Sequence, residues 1–105
     1  MLIEQTWKDG DICSIKLING DEIVARIVNH DASSVTIKQP LVLSVIVEPT
    51  TQQPQLQMMP TLLISAKRDS KLRIGINQII AMAPSEDAAC QAYESNITDL
   101  AAAGR

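Results

Sequence analysis

Few side chains in this sequence could carry out a reaction. There is one histidine, His30, and there are two cysteines, Cys13 and Cys90, separated by most of the chain. A metal site needs several His, Cys or carboxylate ligands at close spacing, and a disulfide framework needs further cysteine pairs. Neither pattern is present, so the cysteines are expected as two free, reduced thiols. No Ser/His/Asp grouping and no glycine-rich phosphate loop can be assigned. Asp9 and Asp11 flank Gly10 like a fragment of a calcium loop, with too few ligands behind it. No catalysis, metal or cofactor is therefore expected, and what remains is recognition chemistry. The stretch "KRDSKLR" gathers Lys67, Arg68, Lys71 and Arg73 around one acid, Asp69. A cluster of this kind suits phosphate contact, and it also suits a solvated turn with Asp69 and Ser70 at its tip.

The formal charge of −3 conceals a split. Residues 1 to 85 hold eight basic and eight acidic residues, whereas Glu86, Asp87, Glu94 and Asp99 face Arg105 alone in the remainder. The acidity belongs to the tail. A length of 105 residues is one domain's worth. No run of about 18 apolar residues occurs, and charge appears within the first four residues, so neither a transmembrane helix nor a signal peptide is expected. The expected location is the cytosol.

The elements that must position these groups follow from periodicity. "ICSIKLI" alternates Cys13, Ile15 and Leu17 with Ser14 and Lys16, the pattern of a half-buried strand. Asn19-Gly20-Asp21 supplies a tight hairpin turn. "EIVARIVNH" puts Ile23, Ala25 and Ile27 on one face, with Glu22, Val24, Arg26, Val28 and His30 on the other. "DASS" turns the chain into "VTIKQ", and Pro40 then interrupts the ladder because it cannot donate. Three antiparallel strands in meander order result. "LVLSVIV" is apolar on both faces apart from Ser44, which implies that its second face meets another chain or another segment of this one. A Pro-, Thr- and Gln-rich loop (48 to 60) follows, and "TLLISA" and "NQIIAMA" are the last strand-like segments. Met58 and Met59 in "QMMP" suit core or interface filling. Ser85 can cap a helix whose first turn holds Glu86 and Asp87, and Ala89, Tyr93, Ile97 and Leu100 form one apolar stripe ending near Gly104. The expectation is a mainly β chain, with a small, strongly bent five-stranded antiparallel barrel over residues 1–84 and a C-terminal α-helix over 85–105 packed on it.

"NGDEIVARIVNHD" resembles the first motif of the Sm and Sm-like (LSm, Hfq-type) proteins. Asn19-Gly20 takes the place of the hairpin closure, Ala25 that of the small mid-strand residue, and Asp31 that of the acid opening the next loop. "LRIGINQII" resembles the second motif, with Gly75 as turn glycine and Asn77 as the following polar residue. The likeness covers about half the chain, residues 12–40 and 72–83. The sequence departs from the pattern where Ala25 replaces a glycine, where Ser34 stands for an Asn, and where Arg73 lies one position early with Ile74 before the glycine. A short barrel with a long central loop and a C-terminal helix also resembles small proteins of marine bacteriophages.

The resemblance implies a homo-oligomeric ring of about five to seven subunits, closed by edge-to-edge pairing that removes open strand edges. It further implies a pore-side site where RNA, or single-stranded DNA, is held by two loops. Position by position, that site comprises His30, Asp31 and Ser34 from the first loop, with Arg73, Gly75 and Asn77 from the second; apart from the resemblance, Lys71 of the basic cluster is a further candidate nucleic-acid contact. A guanidinium can stack on a base and contact phosphate, an amide or hydroxyl can read a base edge, and His30 can offer a stacking surface. Asp31 and the Ser pair also suffice as a strand connection with no ligand. Aromatic residues, the usual stacking platforms, are scarce: no Phe, one Trp and one Tyr. Trp7 is expected to cover a barrel end and Tyr93 to serve the helix stripe. Two readings follow: a non-catalytic nucleic-acid-binding ring, and a ring of the same build acting as a protein-interaction module with a degenerate pocket.

Overall fold

The computed structural model describes residues 6–63, 65–67 and 69–103. Its first hairpin is built as the sequence dictates. β1 (Ile12–Leu17) and β2 (Glu22–His30) are joined by a turn in which Leu17 N donates to Asp21 O (2.8 Å), Gly20 N to Leu17 O (2.9 Å) and Asp21 N to Asn19 Oδ1 (2.9 Å). Gly20 has φ of +98°, a conformation that strains any residue with a Cβ. β3 (Ser34–Val47) returns along β2. β4 (Pro54–Met59), β5 (Lys71–Gly75), a 3-10 turn at Ile76–Gln78, β6 (Ile79–Pro84) and α1 (Asp87–Ala103) complete the chain.

The molecule is mainly β: one antiparallel six-stranded sheet in the order β4-β3-β2-β1-β6, with β5 also on β3, plus the C-terminal helix. β5 lies along residues 34–38 of β3 and β4 along residues 42–47, both on the edge away from β2. Six strands replace the expected five, and among the described residues no ladder joins β6 to β4 or β5. Two local expectations are corrected. "TLLISA" forms turns and bends over its described residues, while the strand lies earlier, at Pro54–Met59. Its hairpin is organised by Glu48, whose carboxylate accepts from Thr50 Oγ1 (3.0 Å), Thr51 Oγ1 (3.3 Å) and Gln55 Nε2 (3.1 Å). "KLRIG" pairs with β3 as a strand of its own. β3 also runs through Pro40 instead of ending there, because Gln39 takes φ of +51° and the β2–β3 register shifts between Val24 and Arg26.

Two cores flank the sheet. Cys13, Ile15, Leu17, Ile23, Ala25, Ile27, Val35 and Ile37 form the inner one, with Trp7 packed against it. Each fully buried Ile contributes about 1.5–3 kcal/mol. On the other face Ile12, Val24 and Leu41 meet Tyr93, Cys90, Ile97 and Leu100 of α1. β2 is therefore apolar towards both layers, and the face expected to be polar is covered by the helix. Tyr93 is buried, and its hydroxyl donates towards the carbonyls of Gln39 (2.9 Å) and Lys38 (3.2 Å), pinning the bend of β3. Ser85 is not the cap. Cys90 N donates to Glu86 O (2.9 Å), which puts the first helical acceptor at Glu86, and Ser85 Oγ pairs with Ser14 Oγ at 2.8 Å. The helix end near Gly104 lies outside the described residues.

Cys13 and Cys90 are free thiols. Burial first, then the charge of Asp11, pushes Cys13 up to about 11, so it stays protonated. No helix among the described residues is long and apolar enough to cross a membrane. The double-faced apolar run stays uncovered at its outer end, where Val45, Val47 and Leu56 are 59–65% exposed.

Candidate nucleic-acid interface

The two motif loops lie about forty residues apart in sequence and are joined by three contacts. Ser34 stands opposite Gly75 in the β3–β5 register. Ile76 N donates to Ser33 O at 2.8 Å. Arg73 reaches across to the first loop, its Nε donating to Ser34 Oγ at 2.9 Å and its Nη2 to Asp31 Oδ2 at 3.4 Å.

Asp31 organises the first loop. Its Oδ1 accepts from the backbone N–H groups of Ser33 and Ser34, both at 2.8 Å, and from their hydroxyls at 3.0 and 3.2 Å. These donors, the Ser33 N–H foremost, hold its carboxyl down to about 2. The geometry is the self-bonded turn that Asp and Ser make in any strand connection. Ser34 is 5% exposed and its hydroxyl is engaged by Arg73 and Asp31, so it fixes the guanidinium. The Arg73 side chain remains 69% exposed in spite of these bonds. Its planar group is thus oriented by protein on one side and open to solvent on the other.

At Gly75 neither the backbone angle nor the packing demands a glycine. Its φ is −64°, and an added Cβ would lie 2.8 Å from Asn77 Oδ1, forcing that amide aside. The turn-glycine expectation is corrected accordingly: Gly75 adopts ordinary extended backbone, and the one group near its Cα is the end of the Asn77 side chain, which is exposed on the 3-10 turn and free to swing aside. His30 closes the group at the end of β2, next to Asp31 in sequence. Its Nδ1 hydrogen-bonds Asp9 Oδ1 at 2.7 Å, and the Trp7 ring meets it edge-on at 4.7 Å between centroids. Asp9 and Trp7 are the residues that sequence reasoning missed as partners of the site. Only a turn before β1, with Gly10 N donating to Ile27 O, brings them to the far end of β2.

Asp31, Ser34, Arg73, Gly75 and Asn77 are therefore brought together with His30 alongside. Lys71 lies one step further along the same face of β5, opposite Lys38, while Arg73 is opposite Thr36. Arg68 lies outside the described residues. Among the described residues no three His, Cys, Asp or Glu side chains gather as a metal set. Chemically the cluster offers an oriented guanidinium, an exposed amide and a ring held by an acid, which is equipment for binding a base and its phosphate. No protein-family model matches the chain, and comparison with curated proteins gives no match.

Proposed function

We propose that this chain is one subunit of an Sm-like, homo-oligomeric ring that binds RNA, or single-stranded DNA, through the β2–β3 and β5–β6 loops and takes part in nucleic-acid processing in the cytoplasm without catalysing a reaction. The observation that carries the proposal is the meeting of the two motif loops around Arg73. In this reading the bent sheet is a single copy of the Sm-like barrel. Its outer β6 edge pairs with the β4/β5 edge of a neighbour, and closure satisfies backbone groups that an open sheet leaves exposed. The uncovered Val45, Val47, Leu56 and Ile80 are the apolar surface such neighbours would bury.

One observation favours the second reading, a protein-interaction ring without a working pocket: Arg73 already has internal partners in Asp31 and Ser34. Substitution of Arg73 by Ala separates the two. Loss of a stacked guanidinium should weaken binding of labelled oligo-U about tenfold or more with the oligomer intact. Binding unchanged by Arg73→Ala in an intact oligomer would refute the loop site.

A further inference from the structure

The face of β3 that carries Ser34 and Thr36 also carries Lys38, and the strand registers line up cations beside it. Arg26 of β2 stands opposite Lys38, and Lys38 stands opposite Lys71 of β5. One row across three adjacent strands therefore reads Arg, Lys, Lys, and Arg73 lies two residues along from Lys71. Like charges set opposite one another in a sheet repel. Arg26 is relieved by Glu94 of α1 at 3.3 Å, and Arg73 by Asp31 at 3.4 Å. Among the described residues neither Lys38 nor Lys71 has an ion pair. Neither can turn inward, because the opposite face of these strands, Val35, Ile37, Leu72 and Ile74, is packed in the inner core. A repulsive pair retained on a rigid, paired stretch of sheet fits a surface whose counter-charge arrives with a ligand.

We propose that Lys38 and Lys71 form a phosphate track, carrying the sugar-phosphate backbone of a single strand away from Arg73 across the outer face of β3 and β5. This inference rests on the nucleic-acid reading above and adds Lys38 to Lys71, already a candidate contact, as a path along the strand face outside the loops. Arg73 and Lys71, two residues apart on one strand, are separated by about 6–7 Å, a spacing that lets them meet different phosphates of an extended chain.

The test is a salt titration of fluorescein-labelled oligo-U binding by anisotropy, comparing the wild type with Lys38→Gln/Lys71→Gln and with Lys16→Gln as a control on β1. The track predicts that the double variant binds about tenfold more weakly at near-physiological salt and that its log–log salt slope is shallower by about 1.4, roughly 0.7 for each phosphate lost. Preference between oligo-U and oligo-A and the behaviour of Lys16→Gln should not change. Thermal unfolding of the free double variant should come no earlier than that of the wild type, since repulsion has been removed. Lys71→Gln alone, at an exposed position, should give half the change in slope should the double variant fold poorly. Slope and affinity unchanged while the wild type binds would overturn the track and leave the loop site standing. A wild type that binds no oligonucleotide would overturn both. Loss of binding to phosphatidylserine vesicles, with oligo-U binding intact, would give the row to membranes and overturn the track.

Discussion

Asp31 builds a turn and at the same time holds the guanidinium of the candidate site. Its Oδ1 is used by four donors of the Ser33-Ser34 turn, and its Oδ2 steadies Arg73. The exposed ion pair alone adds little stability; its worth is in limiting where the guanidinium can point. Because the folded carboxyl is lowered from 3.8 to about 2, the stabilisation it brings is complete above about pH 4 and is lost as the pH falls through about 2. Asp31→Asn keeps an acceptor and removes the charge. Unfolding midpoints of wild type and Asp31→Asn should therefore differ by a constant gap above pH 4 and converge towards pH 2. A gap of the same size at pH 2 would mean that the charge plays no part in the turn.

At the scale of elements, the bend in β3 divides the labour. Its first half pairs with β5 and presents the site, its second half pairs with β4 and extends into the apolar hairpin, and Tyr93 pins the junction from α1. Gln39 holds a positive φ immediately before Pro40, a conformation disfavoured for a residue in that position. Tyr93→Phe keeps the packing and leaves the Lys38 and Gln39 carbonyls without this donor, so chemical denaturation should report a loss of about 1 kcal/mol. No loss would show that the bend holds itself. The hairpin of β1 and β2, the alternation of the inner core and the Tyr93, Ile97 and Leu100 part of the helix stripe were legible because each is local, a turn signal or a period, whereas at the helix start Cys90 packs on the core in place of the expected Ala89. Pro54–Met59 was not: Gln55, Leu56, Gln57 and Met58 do alternate, but the run is short, lies between Pro54 and Pro60, and its turn depends on Glu48. Val24 looked like part of a solvent face because nothing in β2 announces that a helix will cover it. The meeting of the β2–β3 and β5–β6 loops could be expected from the motif resemblance. The pairing of His30 with Asp9, and the alignment of Lys38 with Lys71, needed the registers.

At the scale of the whole molecule, a single copy leaves much unfinished. Among the described residues no further strand pairs with β6 or with the β4/β5 edge, and the β3–β4 hairpin exposes Val45, Val47 and Leu56. Exposed strands and apolar ribbons invite association, and a closed ring turns that liability into a defined assembly. Light scattering should give a mass of about five to seven subunits, and Val45→Lys/Leu56→Lys, which places charge in the contact, should shift it to the monomer. A monomeric wild type would contradict ring closure. The central claim, that the joined loops hold a base, is tested most directly by anisotropy titration of the wild-type protein against oligo-U, oligo-A and single-stranded DNA at low and near-physiological salt. The account predicts saturable binding with a base preference that survives the higher salt. Binding that is absent, or that fades equally for all three with salt, would contradict it, since charge alone distinguishes no base.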